Sequence, residues 1–474
     1  MSAVVSSNKT IADLDGPKGL PIVGNLLQVN FEQFHLHAER WCDEFGPIFK
    51  IRMGPKTIVC IADPDEVNKL LRERPTTYRR RSTIESVIKE LGFNGVFSSE
   101  GEDWKRQRKV VALALNSAHL NQFFPQLLET TRRLQRRWED AADQNLSVDL
   151  CRDVMRYTVD VTTQLAFGVN VNTLETDGPV IQQQLDKVFP MLGKRVNSPF
   201  PYWRYIRLPK DRELDRAIAG IERTVNGFIT DCRLRMQEKP SLYDEPTNFL
   251  EAIIAAQTAE QGTKFTDQEI YSNVVTLLLA GEDTTANTIA WAGKYFIEFP
   301  EYFAKVRDEV DSMVGSDSVI TDHTVLPQLK YLEAFANETM RIKPVGPLFP
   351  METNETVSLM GYELPAKTPV LALTRHLAIN AANFGAPEQF NPERWLDPES
   401  SATAPHKTNA FLPFGTGPRF CPGRNLALVE IKMALAMLCR NFQIELTDPT
   451  QAVEERLAFA MFPSNLKVKF TRRQ

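Results

Sequence analysis

Phe414-Gly-Thr-Gly-Pro-Arg-Phe-Cys-Pro-Gly423 is the stretch on which the reading of this chain turns, and the apolar helical run Asn425 to Phe442 follows it at once. A single cysteine, Cys421, stands where a loop rich in glycine and proline hands over to a helix. Backbone N–H groups left unpaired at the helix start can therefore point at its sulfur. Such a setting lowers a thiol's pKa and favours the thiolate. With Arg419 close by and Pro422 at a helix-compatible position, a lone thiolate there is suited to bind a metal from one side. The opposite side of that metal would be free for chemistry.

The totals narrow what such a site could belong to. The chain has 474 residues, 43% of them hydrophobic and 24% charged, which suits a globular protein with a large core. Its net charge of -5 gives no global basic field of the kind nucleic-acid binding needs. Six cysteines lie far apart without a C-x-x-C pair, which argues against a zinc module or a secreted disulfide scaffold and for a reducing compartment. Residues 1–30 hold no long apolar run, because Leu20 to Val29 is broken by Pro21, Gly24 and Asn25. A G-x-G-x-x-G or G-x-x-x-x-G-K-[ST] phosphate loop is also missing from the sequence.

Upstream of the cysteine loop, Ala280-Gly-Glu-Asp-Thr-Thr285 interrupts a long apolar helical segment, roughly Asp267 to Phe299. An acid followed by hydroxyls is unusual in the middle of a buried helix. Threonine can bond back to the carbonyl four residues earlier, and Gly281 lets the backbone open or a ligand approach. The expected result is a polar notch in an apolar wall. Glu338 and Arg341 stand three apart on one helix face, and Trp104 and Arg108 stand four apart on another. The residues from Phe31 to Phe45 have helical spacing, and Ile48 to Met53 with Thr57 to Ala62 read as a hairpin around Gly54-Pro55, so the N-terminal part should carry a small sheet. Helices are expected over Leu120–Ala142, Val148–Phe167, Leu214–Met236 and Asn248–Gln257. Short strands and loops follow Arg341. The charge runs Arg132, Arg133, Arg136, Arg137 and Arg79, Arg80, Arg81 read as solvated faces.

Phe414, Gly417, Arg419, Cys421, Gly423 and Ala427 fall at the spacing of the haem-binding signature of the cytochrome P450 enzymes, and the three constellations above occur in that family's order. From about Trp104 onward the chain resembles these haem-thiolate monooxygenases. The resemblance implies a mainly α fold with a smaller β-rich lobe (α+β), the cytochrome P450 fold. It would form one catalytic domain over residues 1–474, with a β-rich part near 17–75, a helical core near 102–342, and a meander and haem loop near 380–424. It implies haem b (iron protoporphyrin IX) bound through Cys421, with Phe414 and Gly423 shaping the loop and Trp104, Arg108 and Arg419 holding propionates. Whether Arg375 or His376 also touches a propionate is left open.

By the same resemblance, Asp283 and Thr284 form the catalytic acid–alcohol pair that relays protons to dioxygen. Glu338, Arg341 and Arg394 form a structural ion cluster. A substrate pocket would draw on Phe93, Val96, Phe97, Leu277, Ala280, Val345, Phe349, Phe459 and Met461, which suits an apolar compound such as a fatty acid, terpenoid or steroid. The implied partners are dioxygen and a ferredoxin- or flavodoxin-type electron donor with its NAD(P)H reductase, with no nucleic acid and no membrane anchor, in the cytoplasm. Lys105, Arg106, Lys109 and Arg424 could form the docking patch for an acidic redox protein. A peroxide-driven peroxygenase or an isomerase on the same fold is the alternative, and an acid–alcohol pair counts against it. A haem sensor or carrier without turnover is a third reading.

Overall fold

The computed structural model describes residues 9–176, 180–185, 187–198, 200–258, 265–398 and 404–473. The expectation for the first thirty residues therefore lies partly outside the described residues. One helix, Asp267–Glu298, organises the helical body. Thr266 caps its start by accepting from the Glu269 N–H at 3.2 Å, and the Glu269 carboxylate reaches back to the Thr266 N–H at 2.8 Å. At 1.5 Å per residue its 32 residues run about 48 Å. Apolar side chains surround it, as expected for a helix at the centre of a large core.

Helices Leu150–Phe167 and Arg424–Asn441 pack along the central helix. The first begins where Asp149 accepts from the Arg152 N–H and stops at Gly168, whose φ of 70° is easy only for glycine. The second is buried almost continuously from Glu430 to Cys439. The expected helices around residues 120–142, 214–236 and 248–257 appear as Ser117–Asp143, Pro209–Glu238 and Phe249–Thr258.

The small sheet expected near the N-terminus exists, but distant parts of the chain build it. The hairpin Ile48–Met53 and Lys56–Ile61 is joined by Pro369–Ala372, Phe349–Thr353 and Tyr78–Arg80, in that order across five strands. Lys56–Ile61 runs parallel to Pro369–Ala372, with Val59 opposite Val370. Its apolar residues, among them Phe49, Val59, Met351 and Leu371, form a core separate from that of the helices. A second hairpin, Glu454–Leu457 with Met461–Ser464, places Phe459 in its turn.

Between Ala378 and Arg424 the chain has, among the described residues, only 3-10 helical turns, irregular loops and one isolated bridge between Phe384 and His406. A segment this irregular must satisfy its backbone carbonyls by other means. Arg341 donates to the carbonyls of Ala378, Pro387 and Gln389 at 2.8, 2.7 and 3.1 Å, and Arg394 donates to that of Gly385 at 2.9 Å. Two buried guanidiniums thus replace a sheet as the meander's scaffold.

Candidate functional site

The cysteine loop is shaped by close approach of its own backbone to its neighbours. The Cys421 N–H donates to the Phe414 carbonyl at 2.9 Å, which folds the loop's end back on its start. Gly417 has φ 72°, and a Cβ there would lie 2.6 Å from the Leu71 carbonyl oxygen, so only glycine fits against helix Pro64–Arg72. The N–H groups of Gly423 and Arg424 bond toward the Cys421 sulfur, and the Arg108 and Arg424 charges favour the thiolate. Burial is the larger influence, however, and holds the free thiol above its ordinary value. This corrects the expectation of a lowered pKa. The donors are where the sequence placed them, but desolvation outweighs them. Coordination to a metal deprotonates a thiol outright, so the same burial favours a sulfur–metal bond over a free thiolate.

On the central helix, Ala280 is exposed although Tyr271 to Leu279 before it are buried, and Gly281, Asp283 and Thr284 are partly exposed. This is the notch anticipated from the sequence. Thr284 Oγ1 donates to the Ala280 carbonyl at 2.8 Å. Thr285 and Glu282 are buried away from the opening.

A cluster of guanidiniums lies beside the loop. The Arg419 side chain is 3% exposed, pairs with Glu100 at 3.0 Å, donates to the Ser99 carbonyl and stacks on Trp104 with 4.6 Å to the ring centroid. Arg74 is also buried, and Arg80 stacks on Phe97 at 3.7 Å while its backbone N–H reaches Glu100 at 3.0 Å. Burial and mutual repulsion depress all three: Arg80 falls to about 9 and Arg74 and Arg419 to about 10. The Nε–H of each lacks a partner. Three guanidiniums facing one carboxylate leave two positive charges over, and the two propionates of protoporphyrin IX carry two negative ones. The residues therefore fit haem b on charge as well as on the sulfur donor.

Arg108 stacks on Phe420 at 4.8 Å and sits near Cys421. The Arg79–Arg81 run is not a solvated face. In strand Tyr78–Arg80 the side chains alternate, so Arg80 follows buried Tyr78 inward, while Arg79 pairs with Glu85. That alternation was the available signal for Arg80; nothing in the sequence pointed to Arg74. Arg133 likewise is buried, between Asn170, Asn172 and Asp160 at 2.8, 2.9 and 3.3 Å, and only its neighbour Arg136 is exposed in the manner expected. Arg375 pairs with Glu39 and His376 with Asp43, each at 2.9 Å, which commits both to the β-rich side. Of the supposed docking patch, Arg106 is held by Glu269 and Asp103, and Lys105 by exposed Glu102.

The ion cluster assembles fully. Glu338 accepts from Arg341 Nε at 2.8 Å, Arg394 Nε at 3.0 Å, Trp395 Nε1 at 2.9 Å and the Asn391 N–H at 2.9 Å. The apolar residues named from sequence converge in part. Phe97 and Phe459 meet edge to face at 5.7 Å, and Phe189, which periodicity alone did not mark, stacks on Phe459 at 4.9 Å. The Val345 carbonyl accepts from the Met461 N–H at 2.8 Å, and Phe349 lies against Gly415 of the cysteine loop. The Val96 N–H donates to Asn273 Oδ1 at 2.9 Å, fixing residues 93–97 on the central helix one turn before Leu277. Phe93 itself is buried in the helical core.

Comparison with known proteins agrees with this geometry. The family described as Cytochrome P450 matches residues 14–470. The chain is 28% identical over 445 residues to cytochrome P450 703A2 of Arabidopsis thaliana, covering 90% of this chain and 86% of that protein. It is 27% identical over 447 residues to cytochrome P450 3A13 of Mus musculus, covering 91% and 85%. Among solved structures, the crystal structure of the cytochrome P450DA heme domain superposes with a TM-score of 0.85 at 21% identity, covering 97% of this chain and 98% of that one.

Proposed function

This chain belongs to the cytochrome P450 family of haem-binding monooxygenases, and from that premise we propose that it hydroxylates an apolar small molecule with electrons from separate redox proteins. The observation that carries the proposal is the cysteine loop, with two N–H groups directed at one partly buried sulfur and the charges of Arg108 and Arg424 near it. Haem b, when bound, supplies the activation of dioxygen and the oxidising power. Cys421 would be its ligand, and Arg419, Arg80 and Arg74, with Trp104 beneath Arg419, would neutralise the propionates. Arg108 supports the thiolate side.

Asp283 and Thr284 hold and pass protons at the notch, where reductive cleavage of dioxygen consumes two. Phe97, Phe459, Phe189, Val345, Phe349 and Met461 exclude water and position the substrate, whose class their chemistry limits to lipophilic compounds such as fatty acids, terpenoids or steroids. Glu338, Arg341 and Arg394 keep the meander in place. The chain works as one catalytic domain, in keeping with a single sheet completed by strands from residues 48–80 and 349–372.

A ferredoxin- or flavodoxin-type protein with its NAD(P)H reductase is the proposed donor, in keeping with the family resemblance. Exposed Lys109 and Arg424 are left at the proximal edge to meet it. All six cysteines are free thiols, which favours a reducing cytoplasm. No helix among the described residues is long and apolar enough to cross a membrane.

The reduced holoprotein with carbon monoxide should give the red-displaced absorbance of a thiolate ligand, and Cys421→His should convert it to an imidazole-type spectrum. An imidazole-type spectrum from the unchanged protein would sink the proposal. Thr284→Ala should keep the thiolate spectrum and lose about 100-fold in product formation, the low end for a positioned proton donor. Full activity with peroxide alone, and none with a ferredoxin and its reductase, would instead favour the peroxygenase reading.

A further inference from the structure

The hairpin that holds Phe459 has little support of its own. Its strands, Glu454–Leu457 and Met461–Ser464, form a two-stranded sheet, and a lone hairpin is marginal in water. Pro463 stands opposite Glu455 and cannot donate to the ladder. The second strand packs on the central helix, and its Met461 N–H donates to the Val345 carbonyl at 2.8 Å. The first strand lies against residues 31–33, at the N-terminal side of the molecule.

Glu455 ties that first strand down. Its side chain is 10% exposed and meets His35 Nε2 at 2.9 Å, Arg375 at 3.4 Å and the Lys343 ammonium. These partners come from helices Phe34–Phe45 and Thr374–Ala378 and from the end of helix Lys330–Ile342. Burial opposes the charge, but the His35 hydrogen bond and the two cations outweigh it and hold the carboxyl far below its ordinary range. Both cations have a second hold. Arg375 pairs with Glu39 at 2.9 Å and donates from Nε to the Ile342 carbonyl at 2.9 Å, and Lys343 sits 5.0 Å over the Trp291 ring. Loss of Glu455 therefore frees the hairpin and leaves those helices joined to each other. Arg456 reaches Glu32 at 3.4 Å, but both side chains are exposed, so that pair contributes little.

The tied strand leads directly into the turn. Phe459 follows Glu455 by four residues, about 13 Å of extended chain. The turn is confined by its neighbours: Phe459 stacks on Phe189 at 4.9 Å and meets Phe97 at 5.7 Å. A Cβ on Gly193 would lie 3.8 Å from the Ala458 carbonyl oxygen, so helix Val188–Asn197 faces the turn with bare backbone.

We propose that Glu455 is a specificity-positioning residue: by anchoring strand Glu454–Leu457 to the His35, Lys343 and Arg375 cluster, it sets where the Phe459 ring stands between Phe97 and Phe189, and so which lipophilic ligands fit. Glu455 is bonded away from that ring and acts on the ligand through the strand. The inference rests on the pocket reading given above, and the experiment separates the two.

Imidazole and phenylimidazole both ligate haem iron through nitrogen, and the second adds an apolar ring for the pocket to hold. Once the carbon monoxide spectrum has shown the thiolate ligand, each is titrated by absorbance into wild type, Phe459→Ala, Glu455→Gln and the double variant. Phe459→Ala should weaken phenylimidazole by about 3- to 10-fold, the worth of one aromatic pair, and leave imidazole unchanged. If neither affinity moves, the pocket reading fails and the inference falls with it. Glu455→Gln should shift the ratio of the two affinities in the same direction, and in the Phe459→Ala background it should shift it no further. An unchanged ratio in Glu455→Gln, with Phe459→Ala effective, overturns the inference alone. A further shift in the double variant also overturns it, because a general loosening of the fold adds to the loss of the ring. Hydrogen exchange in Glu455→Gln should quicken over residues 454–464 and not over residues 34–45, and equal quickening in both counts against the inference. If Glu455→Gln does not take up haem, Glu455→Asp decides: it keeps the charge, is one methylene shorter and should shift the same ratio, and a wild-type ratio overturns the inference.

Discussion

Two buried charge clusters flank the cysteine loop, and they are balanced in opposite ways. In the cluster around Glu338, one carboxylate meets Arg341 and Arg394, and the guanidinium groups it leaves over are used by backbone carbonyls of the meander. Beside Trp104, by contrast, Arg74, Arg80 and Arg419 share the single carboxylate Glu100, and each retains an unused Nε–H. Burying a charge costs several kcal/mol unless a partner compensates it. A cluster complete within the protein serves the fold. One with two cations in excess is arranged for an anion that the polypeptide does not supply.

The comparison can be broken most forcefully at Glu338. Glu338→Ala leaves two guanidiniums buried without their anion, and about 3–5 kcal/mol of stability should be lost, read from denaturant unfolding or as failure to recover holoprotein. A loss under about 1 kcal/mol, the range of surface pairs, would show that the backbone carbonyls alone carry the meander. The arginine cluster should respond the other way. Arg80→Met removes one surplus cation, so the haem-free protein should be as stable as wild type or more so. The holoprotein should release haem about 10- to 100-fold faster, as expected for the loss of one charge-assisted hydrogen bond, measured by transfer to apomyoglobin. Equal release rates would place the propionates elsewhere.

The smallest effect concerns Glu100. Burial outweighs Arg419 and Arg80 and holds its carboxyl above the ordinary 4.5. A raised carboxyl keeps its proton when the unfolded chain has lost its own, so folding loses stability as pH rises from 4.5 toward the folded value. In the haem-free protein, Glu100→Gln should therefore gain on wild type in melting temperature as pH rises above 4.5. A difference independent of pH would mean that Arg419 keeps Glu100 ionised throughout.

The residues most legible in the sequence were those whose role is local. Gly417 at a positive φ against Leu71, Cys421 at a helix start, and the acid–hydroxyl run at Ala280–Thr285 each state their geometry within a few neighbours. The Glu338–Arg341 pair is visible as helical spacing, although its completion by Arg394 depended on family resemblance and its full hydrogen-bond set on the folded meander. Charge runs were the weak point. Arg80 and Arg133 read as solvated because composition carries no depth, but Arg80 is half-buried over Phe97 and Arg133 is buried beside Asp160.

Sequence alone therefore determined the cysteine loop, the notched helix and the family to which both point, because these depend on short-range spacing and backbone chemistry. The tertiary structure decided where the charges go. It brought Arg74, Arg80 and Arg419 around Glu100, joined Phe189 to Phe459, and built one sheet from strands hundreds of residues apart. The physical reason is that desolvation and pairing depend on every neighbour in space, and no window of sequence contains them.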